Sequence, residues 1–358
     1  MPFGMIDTSF IDFPSTLDAA YLRGLTTRSG LQFVDLAQAL DRELAALNAA
    51  TDPLVASLVA PTTREFSRAT NGDAFNVTRK GQYTVARPQQ TETKAHMLPL
   101  DDWDVSVGFT EDGLEDISEE DFNDQVRAMR RGWEVRHRKE ALFRLFSDAE
   151  LEVAANTTAL SPGFAGSGSG GNVFTGSYPN GTPVPGGYTH YLRDTAANIG
   201  PVLLAARNLL KRMGQPPPYD LVAPSAQIDA IVALGTAGGF VPAGSALVRV
   251  GSGQAEAQVD PATYVGVLHQ EIRVQVGIED FTDANIAVFK SFGPFAANNP
   301  LAWRYDTLRG RDVTVRTRAL YPLADAESRQ RFGFGANNRT AAVLVRLAGA
   351  GNYVAPVI

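Results

Sequence analysis

The sequence contains no cysteine. That removes disulfides, thiolate nucleophiles and cysteine metal sites together. It fits a protein made in a reducing cytoplasm, or one that must survive outside a cell without redox chemistry. Lysine is scarce as well: Lys80, Lys94, Lys139, Lys211 and Lys290 are the only ones, so arginine carries the positive charge. Arginine suits bidentate pairing with carboxylates across protein contacts. No apolar run nears the roughly 20 residues that a membrane-spanning helix needs. The opening stretch MPFGMIDTSFIDFP has no basic region followed by an apolar core, so no secretory signal is read.

Catalytic signatures are missing too. There is no P-loop lysine motif and no GxSxG elbow. The histidines, His96, His137, His190 and His269, have no HExxH-type partner. His137 lies on a charged helix and reads as a solvated or contact residue, and the others as packing residues. The acidic run from Asp101 to Asp124 lacks EF-hand spacing. Gly166, Gly168 and Gly171 match GxGxxG, yet no strand precedes them and no helix follows, so the dinucleotide reading fails on context. No catalytic, cofactor or metal site is assigned, and the chain is expected not to be an enzyme.

What is there is a chain of 358 residues, 44% hydrophobic, with a net charge of −7. It can hold a sizeable core, expected in two lobes with excursions. Its acidity does not suit a protein whose whole surface grips nucleic acid. The clearest element is a helix predicted from Ser118 to Asp148. Ser118 is a good N-cap with Asp121 three residues on, and Ile117 and Phe122 are placed for a hydrophobic staple. The early turns are acidic and the later ones basic, from Arg127 to Arg144, which complements the helix dipole. Phe122, Val126, Met129 and Trp133 form one apolar stripe. The helix would be roughly 45 Å long at about 1.5 Å per residue. Its arginines point around the axis, so ion pairs with neighbouring subunits are favoured over phosphate contacts.

The rest of the chain is read in order. Residues 1–30 are an irregular arm, with a short helix expected over Thr16 to Arg23. Leu31 to Ala50 is a second helix. Pro53 to Thr110 alternates, with a hairpin signal at Asn71-Gly72. It is expected to be a long β excursion that lies on another subunit. Ser161 to Thr189 is a glycine-rich loop. Helices follow over Tyr191 to Met213, with Pro201 at a first helical position and Gly214 just past the end. A compact α+β lobe is expected next: strands at Tyr219 to Val222, Leu247 to Val250, Tyr264 to Leu268, Ile272 to Val276 and Ile286 to Phe289, with a helix from Ser225 to Leu234 capped by Ser225. Strands at Asp312 to Tyr321 and Thr340 to Leu347 close the chain.

This order of elements resembles the major capsid protein of tailed double-stranded-DNA bacteriophages, a shell fold shared with encapsulins and the herpesvirus capsid floor. The resemblance covers nearly the whole chain and rests on element order. It implies an α+β fold with an N-terminal arm and helix (1–55) and an extended β loop (56–116). A peripheral domain with the spine helix and glycine-rich segment (117–218), an axial domain (219–305) and return strands of the peripheral domain (306–358) would follow. It implies a structural virion protein that self-assembles into pentamers and hexamers of an icosahedral shell enclosing double-stranded DNA. Its place would be the virion capsid, assembled in the host cytoplasm.

The implied partners are further copies of the chain, portal and scaffolding proteins, a decoration protein and non-specific contact with packaged DNA. No membrane and no cofactor are implied. The chain has no room for a scaffolding segment, so a separate scaffold or a removed segment is expected. Some members crosslink Lys to Asn between subunits. Lys80, Lys94, Asn337 and Asn338 lie in the corresponding regions, but no pair matches residue by residue, and that chemistry is not carried over. Trp103, Trp133, Trp303, Arg127, Arg130 and Arg131 are the expected subunit-contact residues, since Trp and Arg dominate binding hot spots. Two alternatives remain at this point: an encapsulin shell, and a hydrolase or binding enzyme using the glycine-rich loop.

Overall fold

The most strongly patterned stretch becomes one unbroken helix in the computed structural model of this chain. The structure describes residues 42–49, 51–70, 93–110, 116, 118–147, 151–152, 160–161, 191–194, 196–243, 264–275, 277–278, 284–320 and 323–347, with Gly30 and Ile358. The expected short helix at Thr16 to Arg23, the Asn71-Gly72 turn, the strand at Leu247 to Val250 and the glycine-rich stretch after Ser161 lie outside the described residues. So does most of the helix expected from Leu31, of which residues 42–49 are helical.

After those come α1 (Pro53–Leu58), β1 (Val59–Thr62), β2 (Phe66–Thr70), β3 (Thr93–Met97) and β4 (Asp101–Thr110). The spine α2 (Glu119–Phe146) precedes the short strands β5 (Leu151–Glu152), β6 (Leu160–Ser161) and β7 (Tyr191–Arg193). Then follow α3 (Ile199–Arg212), β8 (Tyr219–Val222), α4 (Ser225–Val232) and β9 (Phe240–Pro242). The last elements are β10 (Tyr264–Leu268), β11 (Ile272–Gln275), β12 (Asn285–Phe289), β13 (Leu301–Tyr305), β14 (Thr314–Leu320), β15 (Leu323–Ala336) and β16 (Ala342–Arg346).

The start of α2 follows from its cap. Ser118 Oγ accepts the Asp121 N–H at 3.1 Å and donates to Asp121 Oδ2 at 2.6 Å. That satisfies one of the helix's orphan donors and holds the first turn. Phe122, Val126, Met129, Trp133 and His137 recur at spacings of four and three and are all buried. His137 therefore continues the apolar stripe. The expectation that it is solvated is wrong, because its position relative to Trp133 turns it inward. Gly132, on the outer side, has open space where a side chain would project.

The chain divides into two units. The first comprises Met1–Asp52, Leu100–Arg138 and Tyr305–Phe332. Here the first seven residues of β15 lie between β14 and β4, antiparallel to both, and the pairing with β4 continues to Phe332. β4 is thus paired within this chain's own sheet. Asn48 ties the helix at 42–49 to the turn before β14: its Nδ2 donates to the Val313 carbonyl at 3.1 Å, and its Oδ1 accepts the Val313 N–H at 2.9 Å.

The second unit comprises Pro53–Pro99, Lys139–Arg304 and Gly333–Ile358. Its main sheet has seven strands in the order β7-β16-β12-β8-β11-β10-β9. β7 and β16 come from outside the span 219–305, so this sheet is larger than the lobe expected from sequence. The reason is apolar: β16 (AVLVR) is buried almost throughout and can be satisfied only inside a sheet. One core joins the sheet to α3 and α4 through Leu203, Ala206, Leu210, Leu221, Ile231, Ile272, Val288 and Val343.

Helix α3 stops where glycine lets it. Gly214 has φ +81°, its N–H reaches the Lys211 carbonyl, and the Gln215 N–H reaches that of Leu210. This 5→2 and 6→1 pair satisfies the last carbonyls. Pro201 is the third residue of α3, not the first. The N-cap of α4 is Pro224, not Ser225, and it makes no side-chain cap bond. α1 was read as part of an alternating stretch, yet Leu54, Val55, Ala56 and Leu58 are all buried as a short helix.

β1 runs parallel to β13, which neighbours β15 in the sheet order. Behind them sits Asn299, fully buried. Its Nδ2 donates to the carbonyls of Val59 (3.0 Å) and Gly293 (2.9 Å), and its Oδ1 accepts the Phe292 N–H (3.0 Å). Separately, β2 and β3 pair antiparallel from Phe66↔Met97 to Thr70↔Thr93.

Candidate contact site

Of the residues expected to meet neighbours, Arg127, Arg130, Arg131 and Trp133 lie on α2, Trp103 on β4 and Trp303 on β13. In the first unit, helix and strand periodicities meet along one line. Trp133 and His137 are four apart on α2, about 6 Å along a helix. Ser328 and Gln330 are two apart on β15, about 7 Å along a strand. The spacings match, and each helix residue bonds one strand residue. Trp133 Nε1 donates to Ser328 Oγ at 2.9 Å, and Ser328 Oγ donates to the Val105 carbonyl of β4 at 3.2 Å. His137 Nε2 and Gln330 Oε1 are 2.6 Å apart. Gln330 Nε2 donates to the Arg311 carbonyl. That fixes the amide, so Oε1 accepts and the His137 proton sits on Nε2. Burial holds His137 below the usual histidine range, although the Gln330 bond works in the opposite sense. The Phe332 ring meets His137 edge-on, centroids 4.9 Å apart.

Around this line lie the arginines. The Arg136 guanidinium stacks 3.6 Å from the Trp103 ring centroid. Trp103 Nε1 donates to the Phe332 carbonyl at 3.3 Å. Arg130 pairs with Glu43 (3.1 Å) and Glu134 (3.0 Å), and Arg138 with Asp52 at 2.6 Å. Arg127 pairs with Asp124 one turn back, both largely exposed. Arg131 is exposed. Arg144, in the second unit, is buried, and burial pulls its guanidinium down to about 10.

The expected contact residues thus separate. Trp133 is buried in its own chain, and so is Trp303, whose ring lies 5.5 Å from Phe334 and 6.2 Å from Phe295. Both rings pack in the core of their own chain. Arg130 is occupied by two carboxylates of its own chain, one of them remote in sequence. Arg127, Arg131 and the half-buried Trp103 remain available. Ser328, Gln330 and Glu43 were not singled out from sequence. The alternation Ser328, Gln330, Phe332, Phe334 was the available signal for the strand.

No group of three or more His, Asp or Glu able to hold a metal occurs among the described residues. None of their helices is long and apolar enough to cross a membrane.

No family model matches the sequence, and no curated protein matches it. Solved structures do. A chain of Mycobacterium phage Patience aligns over 94% of this chain and 94% of its own length, with a TM-score of 0.63 and 18% identity. A chain from the capsid structure of the cyanophage P-SCSP1u aligns over 84% of this chain and 89% of its own, with a TM-score of 0.52 and 11% identity. A virus-like particle from Pyrococcus furiosus aligns at only 0.40, too low to carry an argument. The fold is the mixed α+β fold of tailed-phage major capsid proteins.

Proposed function

We propose that this chain is a major capsid subunit of a tailed double-stranded-DNA phage, self-assembling into pentamers and hexamers of a closed icosahedral shell. The observation that supports it best is the agreement of fold with the Patience chain over 94% of both chains. An agreement of that extent leaves little of either chain for a different architecture.

In this reading the chain resides in the virion capsid after assembly in the host cytoplasm. Its partners are copies of itself, with portal, scaffolding and decoration proteins as further ones. The acidic chain tolerates packaged DNA without binding it tightly. Arg127, Arg131 and Trp103 are proposed as contact residues. Each contact is modest, and a closed lattice multiplies them. The peripheral domain would be built on α2 and β15, and the axial domain on the seven-stranded sheet.

The test is electron microscopy of the purified chain, in negative stain, over a range of concentrations. Uniform closed particles are expected. A homogeneous monomer or small oligomer under every condition overturns the reading.

A further inference from the structure

The sheet of the first unit has two outer strands. The first seven residues of β15 lie between β14 and β4, and among the described residues no further strand pairs with the outer edge of either. Both outer strands are long, 7 residues in β14 and 10 in β4. Neither contains proline, and each pairs with β15 residue for residue, without a bulge. Proline, bulges and shortness are common ways of blunting a sheet edge; of the usual guards, only charge is used on these two strands.

That charge has opposite sign on the two strands. β4 carries Asp101, Asp102 and Asp104 and no Lys or Arg, whereas β14 carries Arg316 and Arg318 and no Asp or Glu. The sheet already matches its strands by sign. Wherever two charged residues are register partners here, their charges are opposite: Arg318↔Asp325, Arg316↔Glu327, Asp104↔Arg329 and Asp102↔Arg331. A strand residue has neighbours on both sides, so the same rule acts at the outer edges. Two copies of β14 side by side would set Arg against Arg, and two of β4 would set Asp against Asp. Arg316 and Arg318 are two apart, as are Asp102 and Asp104, so β14 beside β4 can place each Arg opposite an Asp in either strand direction.

We propose that the outer edge of β14 pairs with the outer edge of β4 from a second copy of this chain, continuing the sheet from one subunit into the next. Each copy offers one edge of each kind, so the contact is heterologous, and a series of copies forms a ring where the rotation between them closes. This rests on the capsid reading above and supplies a contact within its pentamers and hexamers.

A double-mutant cycle on assembly tests the pairing. One variant is Arg316→Gln with Arg318→Gln, the second is Asp102→Asn with Asp104→Asn, and the third combines all four. Each two-residue variant should raise the concentration needed for half-assembly by about tenfold, as two opposite-charge cross-strand pairs are lost. All four changes together should raise it little further, because either half already removes the same pairs. Effects that multiply to about a hundredfold overturn the proposal, as does an unchanged assembly concentration in either two-residue variant. Within one chain β15 separates the two strands, so melting temperatures of the unassembled variants should shift additively. Coupling already present there overturns the contact between copies.

Hydrogen exchange of the wild-type chain gives a second readout, which needs no variant. Peptides over 101–110 and 314–320 should exchange at least about tenfold more slowly in particles than in the unassembled chain, at the amides directed away from β15. Protection of only one edge, or of both before assembly, overturns the pairing. If the wild-type chain forms no particles at all, the capsid reading falls and this contact falls with it. If particles form and the two edges stay uncoupled, only the contact falls.

Discussion

His137 and Gln330 are 193 residues apart in sequence and 2.6 Å apart in space, both buried. Gln330 also donates to the Arg311 carbonyl, so one side chain joins helix, strand and turn. Gln330→Ala would leave the His137 Nε2–H and the Arg311 carbonyl without that partner. A loss of about 1–3 kcal/mol is expected, the usual cost of stranding a buried polar group. Urea denaturation of the unassembled chain measures it, and a loss under about 0.5 kcal/mol would show that water replaces the amide.

The same histidine sets a pH dependence. Burial lowers its pKa in the folded chain relative to the ordinary value, with Gln330, Asp52 and Glu134 opposing. The unfolded chain thus binds the proton more readily. The stability contribution is complete above about pH 6.5 and is lost as pH falls from there through the lower folded value. Denaturation of wild type between pH 8 and pH 5 should show this decline, and His137→Gln should flatten it. Parallel curves for the two would remove His137 as the cause.

An ion pair with one fully buried member offers a test within the seven-stranded sheet. Asp220 on β8 and Arg273 on β11 are register partners, and Arg273 meets both carboxylate oxygens at 2.7 Å. Burial pushes Asp220 up, and Arg273 pulls it back. Arg273→Ala should cost about 3–5 kcal/mol by leaving the buried carboxylate to Tyr264 and Lys290 alone, whereas the apolar double variant Asp220→Leu with Arg273→Met should cost clearly less. Equal losses from both would mean that packing, not charge, governs the site.

Asn299 should be sensitive to charge as well as to truncation. Asn299→Asp keeps the shape but turns the donor facing the Val59 and Gly293 carbonyls into an acceptor. A loss of at least about 3 kcal/mol is expected, since several buried groups lose their partner together. Thermal and chemical unfolding report it; an unchanged midpoint would refute the role of this hub.

Core and contact residues should part company in a paired experiment. Trp303→Ala should cost about 3–5 kcal/mol of folding stability, as for other large core aromatics. Arg127→Glu with Arg131→Glu should move folding stability by less than about 0.5 kcal/mol, because both are exposed, while weakening assembly. If the arginine variants assemble like wild type, the proposed contact role of the helix face fails.

The sequence revealed α2, β8, β10 and α3 because each obeys one strong period or carries a clear stop. It concealed β15, whose inward positions include Ser328 and Gln330. A polar residue facing a buried tryptophan or histidine looks, in one dimension, like a surface residue. α1 was hidden for the opposite reason: PLVASL is a short apolar run with no period to favour helix over strand. His137 was misjudged because Arg136 and Arg138 flank it, although the four-residue step from Trp133 pointed inward. The contact residues were chosen by residue type. Type alone does not tell an arginine clasped by Glu43 from one left at the surface.

The matched steps of α2 and β15 work as a ratchet for strand alignment. Were β15 to slide by a single residue, Arg329 and Arg331 in one direction, or Glu327 and Arg329 in the other, would take the places of Ser328 and Gln330, putting two charges where a hydroxyl and an amide now sit. A mis-set hairpin is thereby rejected inside the monomer. If the proposed shell forms, only correctly indexed subunits would reach its lattice, where one defective tile would spoil every neighbour it touches.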